Sequence, residues 1–397
     1  MTDHASTGPV ARRGLPTVPE DSLLASVLLS FLATAGLFYV NIMAALVDGL
    51  TSGGLSAKQA GLVASANVYG AAVGALTAVF IIRRLPWRPT AVTVLLCLIA
   101  IDLVSPLLKA AEVLIAVRFL HGLIGGLLVG VAFAVIARTR TPDRTFGMLL
   151  VVQFGLGGLG LMFLPRLVPV FGPGVLFIAL AAFSLATLLM TPFLGAYAAA
   201  PKVVTAGPRP PTPWLPLVLV FGAIFLFQAA NMGLAAYIIG LGKSAGLKLG
   251  FITDTLGAAN WIGALGSVLV VVMGVRFGRL WPVVAGLALT LAGTWAFHFS
   301  EAPWVYLAAN IGTAITWAFV IPYLLGMSAA LDKAGQMAAL AGFFSKMGLA
   351  SGPAMAAFVA GGGEYDGLIN ISVLGLALSG LASIAPALAL DRQRPPG

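Results

Sequence analysis

Polar residues punctuate this chain at nearly regular intervals, and the apolar stretches between them are each about as long as a bilayer is thick. Twelve runs can be marked, at 22–48, 57–82, 90–108, 111–137, 145–168, 173–198, 214–242, 249–275, 280–300, 302–330, 335–360 and 365–390. A helix needs about 20 apolar residues to cross a hydrocarbon core of about 30 Å. Each run is therefore expected to form one membrane-spanning helix, and the whole an all-α membrane fold. The polar leader 1–21 lacks the charged, apolar and small-residue zones of a secretory signal, so the first run is expected to remain as an anchor.

Composition sharpens this picture. The chain is 60% hydrophobic and 9% charged, with a mean hydropathy of +1.03, where soluble domains carry about 25% charged residues. Lys and Arg outnumber Asp and Glu by 22 to 13, and their placement follows topology. With both termini cytoplasmic, fifteen basic residues fall on inner segments, among them Arg83, Arg84 and Arg88. Four fall outside, namely Lys58, Lys109, Lys243 and Lys248. That bias is the one membrane insertion produces. A nucleic-acid partner would need a basic polar domain, which is missing from the sequence. The single Cys97 and three scattered histidines offer neither a disulfide framework nor zinc-ligand spacing, so no metal or cofactor is expected. The absence of a Walker-type phosphate loop argues against ATP drive within the chain.

The Pro-rich stretch "AAPKVVTAGPRPPTP" at 199–213 is the one long polar break near the midpoint. It reads as a cytoplasmic linker between six-helix halves at 22–198 and 214–390, with a tail at 391–397. An offset of 189–190 residues aligns "DRTFGMLL" at 143 with "DKAGQMAA" at 332, and it pairs Asn41 with Asn231, Gly61 with Gly250 and Gly122 with Gly312. Six helices per half make the repeat parallel, about an axis along the membrane normal.

The 6+6 layout, the short basic loop after the second run and "RFLHGLIGGLLVG" in the fourth run resemble the major facilitator superfamily of transporters. That family's fourth-helix signature is an Arg with a Gly four residues on and further glycines; Arg118, Gly122, Gly125 and Gly126 match it. The loop-2/3 signature is altered. "RRLPWRP" at 83–89 keeps Arg83, Arg84 and Arg88 but lacks the usual Asp and central Gly, and "VRFGRLWP" at 275–282 keeps Gly278 without an Asp. The resemblance implies two halves that rock about a central cavity, with helices 1 and 7 lining it. It further implies that helices 2 and 11, and 5 and 8, meet across the halves, and that the protein works as a monomer in the bilayer.

Small residues recur every four positions on four runs: Gly122, Gly126 and Gly130; Ala66, Gly70 and Gly74; Ala259, Gly263 and Ser267; Gly348, Gly352 and Ala356. Residues i and i+4 share a helix face, so these are flat grooves. They serve either ordinary close packing or smooth faces along which the halves rock. Pro353, after Gly352, removes a helical hydrogen bond and permits a kink.

Charges inside the runs are the strongest chemical signal. Lys346, in "AALAGFFSKMGLASGPAMAAF" at 338–358, lies about 16 Å into its helix at 1.5 Å per residue, near the midplane. An ammonium there needs a partner or a wet cavity. It is a candidate contact for an anionic substrate, and its repeat-related position is Gly157. Asp102 and Arg118 sit eight positions either side of the turn near Ala110, so a helical hairpin brings them to one depth. They are either a structural pair or, with His121, a proton-coupling site, the latter implied by the resemblance. Asp254 is expected to serve the outer interface with Lys248 or Lys243. Asn41 and Asn231, at equivalent places on helices 1 and 7, join Gln228, Asn260, Asn310, Trp317 and Tyr323 as candidate substrate contacts.

The expected function is secondary transport of a small organic solute by alternating access, leaning to an organic anion with protons as coupling ion. Two alternatives stand beside it. One is a proton-driven exporter of amphiphilic cations or drugs, which needs an unpaired acid at cavity depth. The other is a non-transporting receptor or assembly factor on the same scaffold. An enzyme is not expected, because no nucleophile–base pair stands out. The expected location is the plasma membrane, or the inner membrane of a bacterium.

Overall fold

A computed structural model describes residues 17–81, 85–197, 213–331, 336–360 and 364–393. Among them the secondary structure is helical and no strand occurs. The first crossing is in three pieces, α1 (Leu23–Ala35), α2 (Phe38–Asn41) and α3 (Met43–Ser52). The others of the first half are α4 (Ala57–Ile81), α5 (Trp87–Val104), α6 (Ala111–Ile136), α7 (Pro142–Phe171) and α8 (Gly174–Met190). The second half comprises α9 (Trp214–Ser244), α10 (Leu249–Met273), α11 (Leu280–Ala296), α12 (Pro303–Leu331), α13 (Gln336–Val359) and α14 (Asp366–Arg392). Ten helices are long and apolar enough to span a membrane; α13 and the broken first crossing complete twelve. Arg83, Arg84 and nearly all of the linker lie outside the described residues.

The break in the first crossing lies where it passes close to α6. A β-carbon on Gly36 would overlap the Gly125 carbonyl oxygen of α6, so the chain can pass that close only as glycine. The helix is interrupted there and again at Ile42, whose φ and ψ of −110° and 19° lie outside the helical region. The sequence, read as one continuous run over 22–48, did not show this.

The glycines of the small-residue stripes pack in seams inside each half, the close-packing reading of the two. β-Carbons on Gly122 and Gly126 of α6 would meet the backbone of α4 at Asn67 and Ala71, while Gly70 and Gly74 of α4 face the α6 backbone. On α13, Gly348 and Gly352 meet α9 at Phe225 and Ala229, and Gly263 of α10 meets Ala314 of α12. In a membrane, close backbone approach stabilises helix pairs through dispersion and Cα–H contacts, so each seam makes its half a rigid unit.

Across the halves, α4 packs on α13 and α7 on α10, the pairings the resemblance implied, and α3 also packs on α9. The buried apolar residues show where the halves join. One cluster, including Ile42, Val63, Leu176, Tyr237, Ile252, Tyr306 and Ala350, takes residues from both halves. Two more lie toward the end that carries the chain termini, one wholly within the first half (Leu28, Trp87, Leu149, Leu194) and one wholly within the second (Leu217, Val283, Leu324, Leu390). Among the described residues the halves thus share a core at the end opposite the termini and have separate cores at the other.

Polar ties follow the same division. At the closed end Lys243 pairs with Asp48 at 2.6 Å, Arg166 pairs with Asp254 and the Tyr237 hydroxyl donates to the Ala57 carbonyl at 2.8 Å. Tyr69 and Ser351 share a hydrogen bond of 2.7 Å nearer the centre. The expected partners of Asp254, Lys248 and Lys243, are replaced by Arg166, because α7 runs against α10 and lays its guanidinium over the start of that helix. Arg166 also donates to Thr253 at 2.8 Å and to the Gly250 carbonyl at 3.0 Å. At the open end the polar ties among the described residues stay inside one half. Arg88 donates to the carbonyls of Leu194 and Gly195. The Asp391 carboxylate of α14 accepts from the backbone N–H groups of Arg279 and Leu280 at 2.8–3.0 Å, satisfying free donors at the start of α11.

Candidate functional site

Between the halves lies a cavity of about 450 Å³, within the range of small-molecule sites. Its wall is mostly apolar, from residues such as Leu37, Val68, Phe154, Met232, Leu256 and Ile321. Into this wall the fold brings Asn41, Asn231, Asn260, Asn310, Trp317 and Lys346, six of the eight residues expected at a substrate site. The broken first crossing contributes Gly36, Leu37 and Asn41, so the interrupted backbone borders the cavity where polar main chain is tolerated.

The two remaining residues lie elsewhere. Gln228 stands behind the wall, accepting from Trp317 Nε1 at 2.8 Å and donating to Ser345 Oγ at 2.8 Å. It fixes the indole whose ring lines the cavity. Tyr323 is not in the wall; its hydroxyl donates to the Gly274 carbonyl at 2.6 Å, which ties α12 to the end of α10. Its expected substrate contact is therefore corrected to a packing role.

Lys346 has neither a hydrogen bond nor an ion pair among the described residues. The described carboxylates near the midplane or the gates are engaged elsewhere: Asp102 with Arg118, Asp48 with Lys243, Asp254 with Arg166, Asp366 with His298. Where Lys346 sits on α13, the equivalent residue of the first half, Gly157 on α7, is the ground on which two amides converge. A β-carbon there would stand 3.3 Å from Asn41 Cβ and 3.4 Å from Asn260 Nδ2. The cavity therefore has one ammonium from one half and an amide pair bridging the halves.

A second polar cluster is buried inside the first half. Arg118 Nη1 meets Asp102 Oδ1 at 2.7 Å, and both side chains are 0% exposed. Arg118 also donates to Ser105 Oγ, and its guanidinium stacks 4.8 Å from the Phe177 ring centre. The other oxygen of Asp102 faces His121 Nε2 at 3.3 Å, and His121 Nδ1 faces Asn67 Nδ2 at 2.8 Å. That amide can only donate, so Nδ1 accepts and the ring proton lies on Nε2, toward the carboxylate. Asp102 and Arg118 are brought together as the hairpin spacing predicted, His121 joins them, and none of the three lines the cavity. Tyr39, on α2, borders the cluster with its ring centre 6.1 Å from that of His121, and its buried hydroxyl has no partner.

Sequence reasoning missed Asn67, Ser105 and Tyr39 in this cluster, and Arg166 at the closed end. A polar residue facing inward within each run was the available signal, but it does not say which neighbour it meets.

No protein-family model matches the sequence, and no curated protein matches it. Solved structures do. A substituted form of peptide transporter POT superposes with a TM-score of 0.73 at 14% identity, covering 95% of this chain and 97% of that one. The same transporter in complex with sulfate gives 0.69 at 13%, covering 95% and 97%. A D-xylose–proton symporter gives 0.64 at 15%, covering 94% and 97%. These likenesses show the fold: this chain shares the fold of the peptide transporter and of the D-xylose–proton symporter over nearly its whole length.

Proposed function

We propose that this protein is a secondary active transporter that carries a small organic anion across the membrane by alternating access, with protons as the coupling ion. The carrying observation is the cavity between the halves, whose wall holds one ammonium, Lys346, and no carboxylate among the described residues. A buried cation without a partner is costly, and an anionic ligand removes that cost while a cationic ligand adds to it. The fold supports transport, since its neighbours are a peptide transporter and a proton symporter of a sugar. The reading as a carrier rests on these neighbours, which are transporters.

Transport follows from the two-ended design. In the structure the cavity is sealed at the end of the Lys243–Asp48 and Arg166–Asp254 pairs. With the termini in the cytoplasm, as the loop charges indicate, this is the inward-facing form. Opening outward requires those pairs to part while the separate cores at the terminus end close, with the glycine seams moving each half as a unit. The Asp102–Arg118–His121 cluster is the proposed proton site. One carboxylate there is shared by a guanidinium and an imidazole, so adding a proton to His121 changes its charge balance one helix away from the broken first crossing. The working unit is a monomer in the plasma membrane.

The cation-exporter reading needs an acid facing the cavity; Asp102 is the candidate, and both of its oxygens are engaged inside the first half. A thermal-shift screen of purified protein at two pH values, with organic anions and organic cations, tests the proposal against it. Anions are expected to stabilise wild type and not a folded Lys346→Ala variant. Stabilisation by cations alone overturns the anion reading.

A further inference from the structure

The hydrogen-bond inventory of the cavity wall defines the ligand more closely than its charge does. Asn231 donates through Nδ2 to the Phe227 carbonyl at 2.8 Å, and Asn310 donates to the Tyr306 carbonyl at 2.8 Å. Each partner is a main-chain carbonyl four residues back, which can only accept, so the amide orientation follows from chemistry. One Nδ2 hydrogen of each amide is taken by the helix, and Oδ1, which has no partner among the described residues, is left as an acceptor beside the second N–H. Thr313 spends its proton on the Ala309 carbonyl at 2.7 Å, and Trp317 spends its N–H on Gln228. All four residues line the cavity. Lys346 is the opposite: three N–H donors and no acceptor, with none engaged by the described residues.

The wall of the second half therefore places two amide oxygens, without partners among the described residues, in the same cavity as the Lys346 ammonium. A plain carboxylate satisfies Lys346 but leaves the amide oxygens of Asn231 and Asn310 desolvated against an apolar body, at a cost for each unmade bond. A ligand that carries its own N–H or O–H groups satisfies both. Resting on the anion reading above, we infer that the substrate is an acid bearing hydroxyl or amino donors on a partly apolar skeleton, an amino or hydroxy acid rather than a simple aliphatic or aromatic carboxylate. Asn41 of the first half and Asn260 of the second, both beside Gly157, border the same cavity.

The test is a set of matched acids that differ in one group: 3-phenylpropanoate, phenyllactate and phenylalanine, with hexanoate, 2-hydroxyhexanoate and norleucine as the aliphatic set. Binding is measured by calorimetry on the full-length protein in detergent, for wild type, Lys346→Ala, Asn231→Leu and Asn310→Leu. The leucine variants keep the volume and remove the acceptor, and unliganded melting reports whether they fold. In wild type a donor-bearing acid of at least one set is expected to bind at least about tenfold more tightly than its matched carboxylate. In at least one leucine variant that preference shrinks while the affinity for the matched carboxylate holds. Equal, Lys346-dependent affinities within each set overturn this inference and leave the anion reading standing. A preference unchanged in both folded leucine variants also overturns it. No Lys346-dependent binding by any of the six acids overturns both.

Discussion

A β-carbon at residue 122 would run into the Asn67 carbonyl oxygen, which makes Gly122 a test of what the glycine stripes are for. Gly122→Ala is expected to lower the melting temperature in detergent, with a cost of about 1–3 kcal/mol for overpacking. An unchanged melt would mean that α4 and α6 do not touch as described. Arg118 makes a second test. Arg118→Ala leaves Asp102 buried and without its guanidinium, a loss of about 3–5 kcal/mol for a broken buried pair. Adding Asp102→Asn should recover part of that loss, because the stranded charge is gone; a purely additive double variant would contradict the pairing. Single-residue partners were legible only where geometry was local. Asp102 and Arg118 could be matched by counting from one turn. The partner of Asp254 could not, because Arg166 lies 88 positions away on a helix whose rotational setting no count reveals. Tyr323 was misplaced for the same reason: hydropathy gives depth along a helix, not direction around it.

At the scale of elements, apolar run length located the helices well, because a bilayer imposes the same span on each. It could not show the interruption at Gly36 and Ile42, since hydropathy is unaffected by a backbone that turns aside inside an apolar stretch. The cap on α11 was also hidden, and the loop "VRFGRLWP", which lacks an acidic residue, receives its carboxylate from Asp391 at the far end of the chain. Gly278 there has φ of +74°, and the carboxylate closes over the turn that this conformation makes. Asp391→Ala is expected to cost about 1–2 kcal/mol, the usual worth of a helix cap. Hydrogen exchange should rise at Arg279 and Leu280 and stay unchanged at the start of α12. Exchange that does not change at those two amides would show that the cap does not hold.

For the whole molecule, the 6+6 division was readable from loop charge and the repeat offset, whereas the conformation was not. Hydropathy and loop charge carry no information on how the halves are tilted against each other. Among the described residues the tilt shows as one core shared by the halves at the closed end and two separate cores at the other. The paired variant Asp48→Asn with Asp254→Asn removes both ion pairs across that closed end. Spin labels on the outer ends of α3 and α9 are expected to show a longer-distance population that grows several-fold over wild type. An unaltered distance distribution would mean that these pairs are not part of the gate.

The central claim is that Lys346 serves an anion in a cavity exposed alternately to the two sides. Its most direct test is uptake of radiolabelled amino, hydroxy and plain carboxylic acids into proteoliposomes, with and without an inward proton gradient, for wild type and Lys346→Ala. The account predicts saturable uptake of at least one acid in wild type, accelerated by the gradient and lost in the folded variant. Uptake that is indifferent to Lys346, or a flux confined to organic cations, would contradict it.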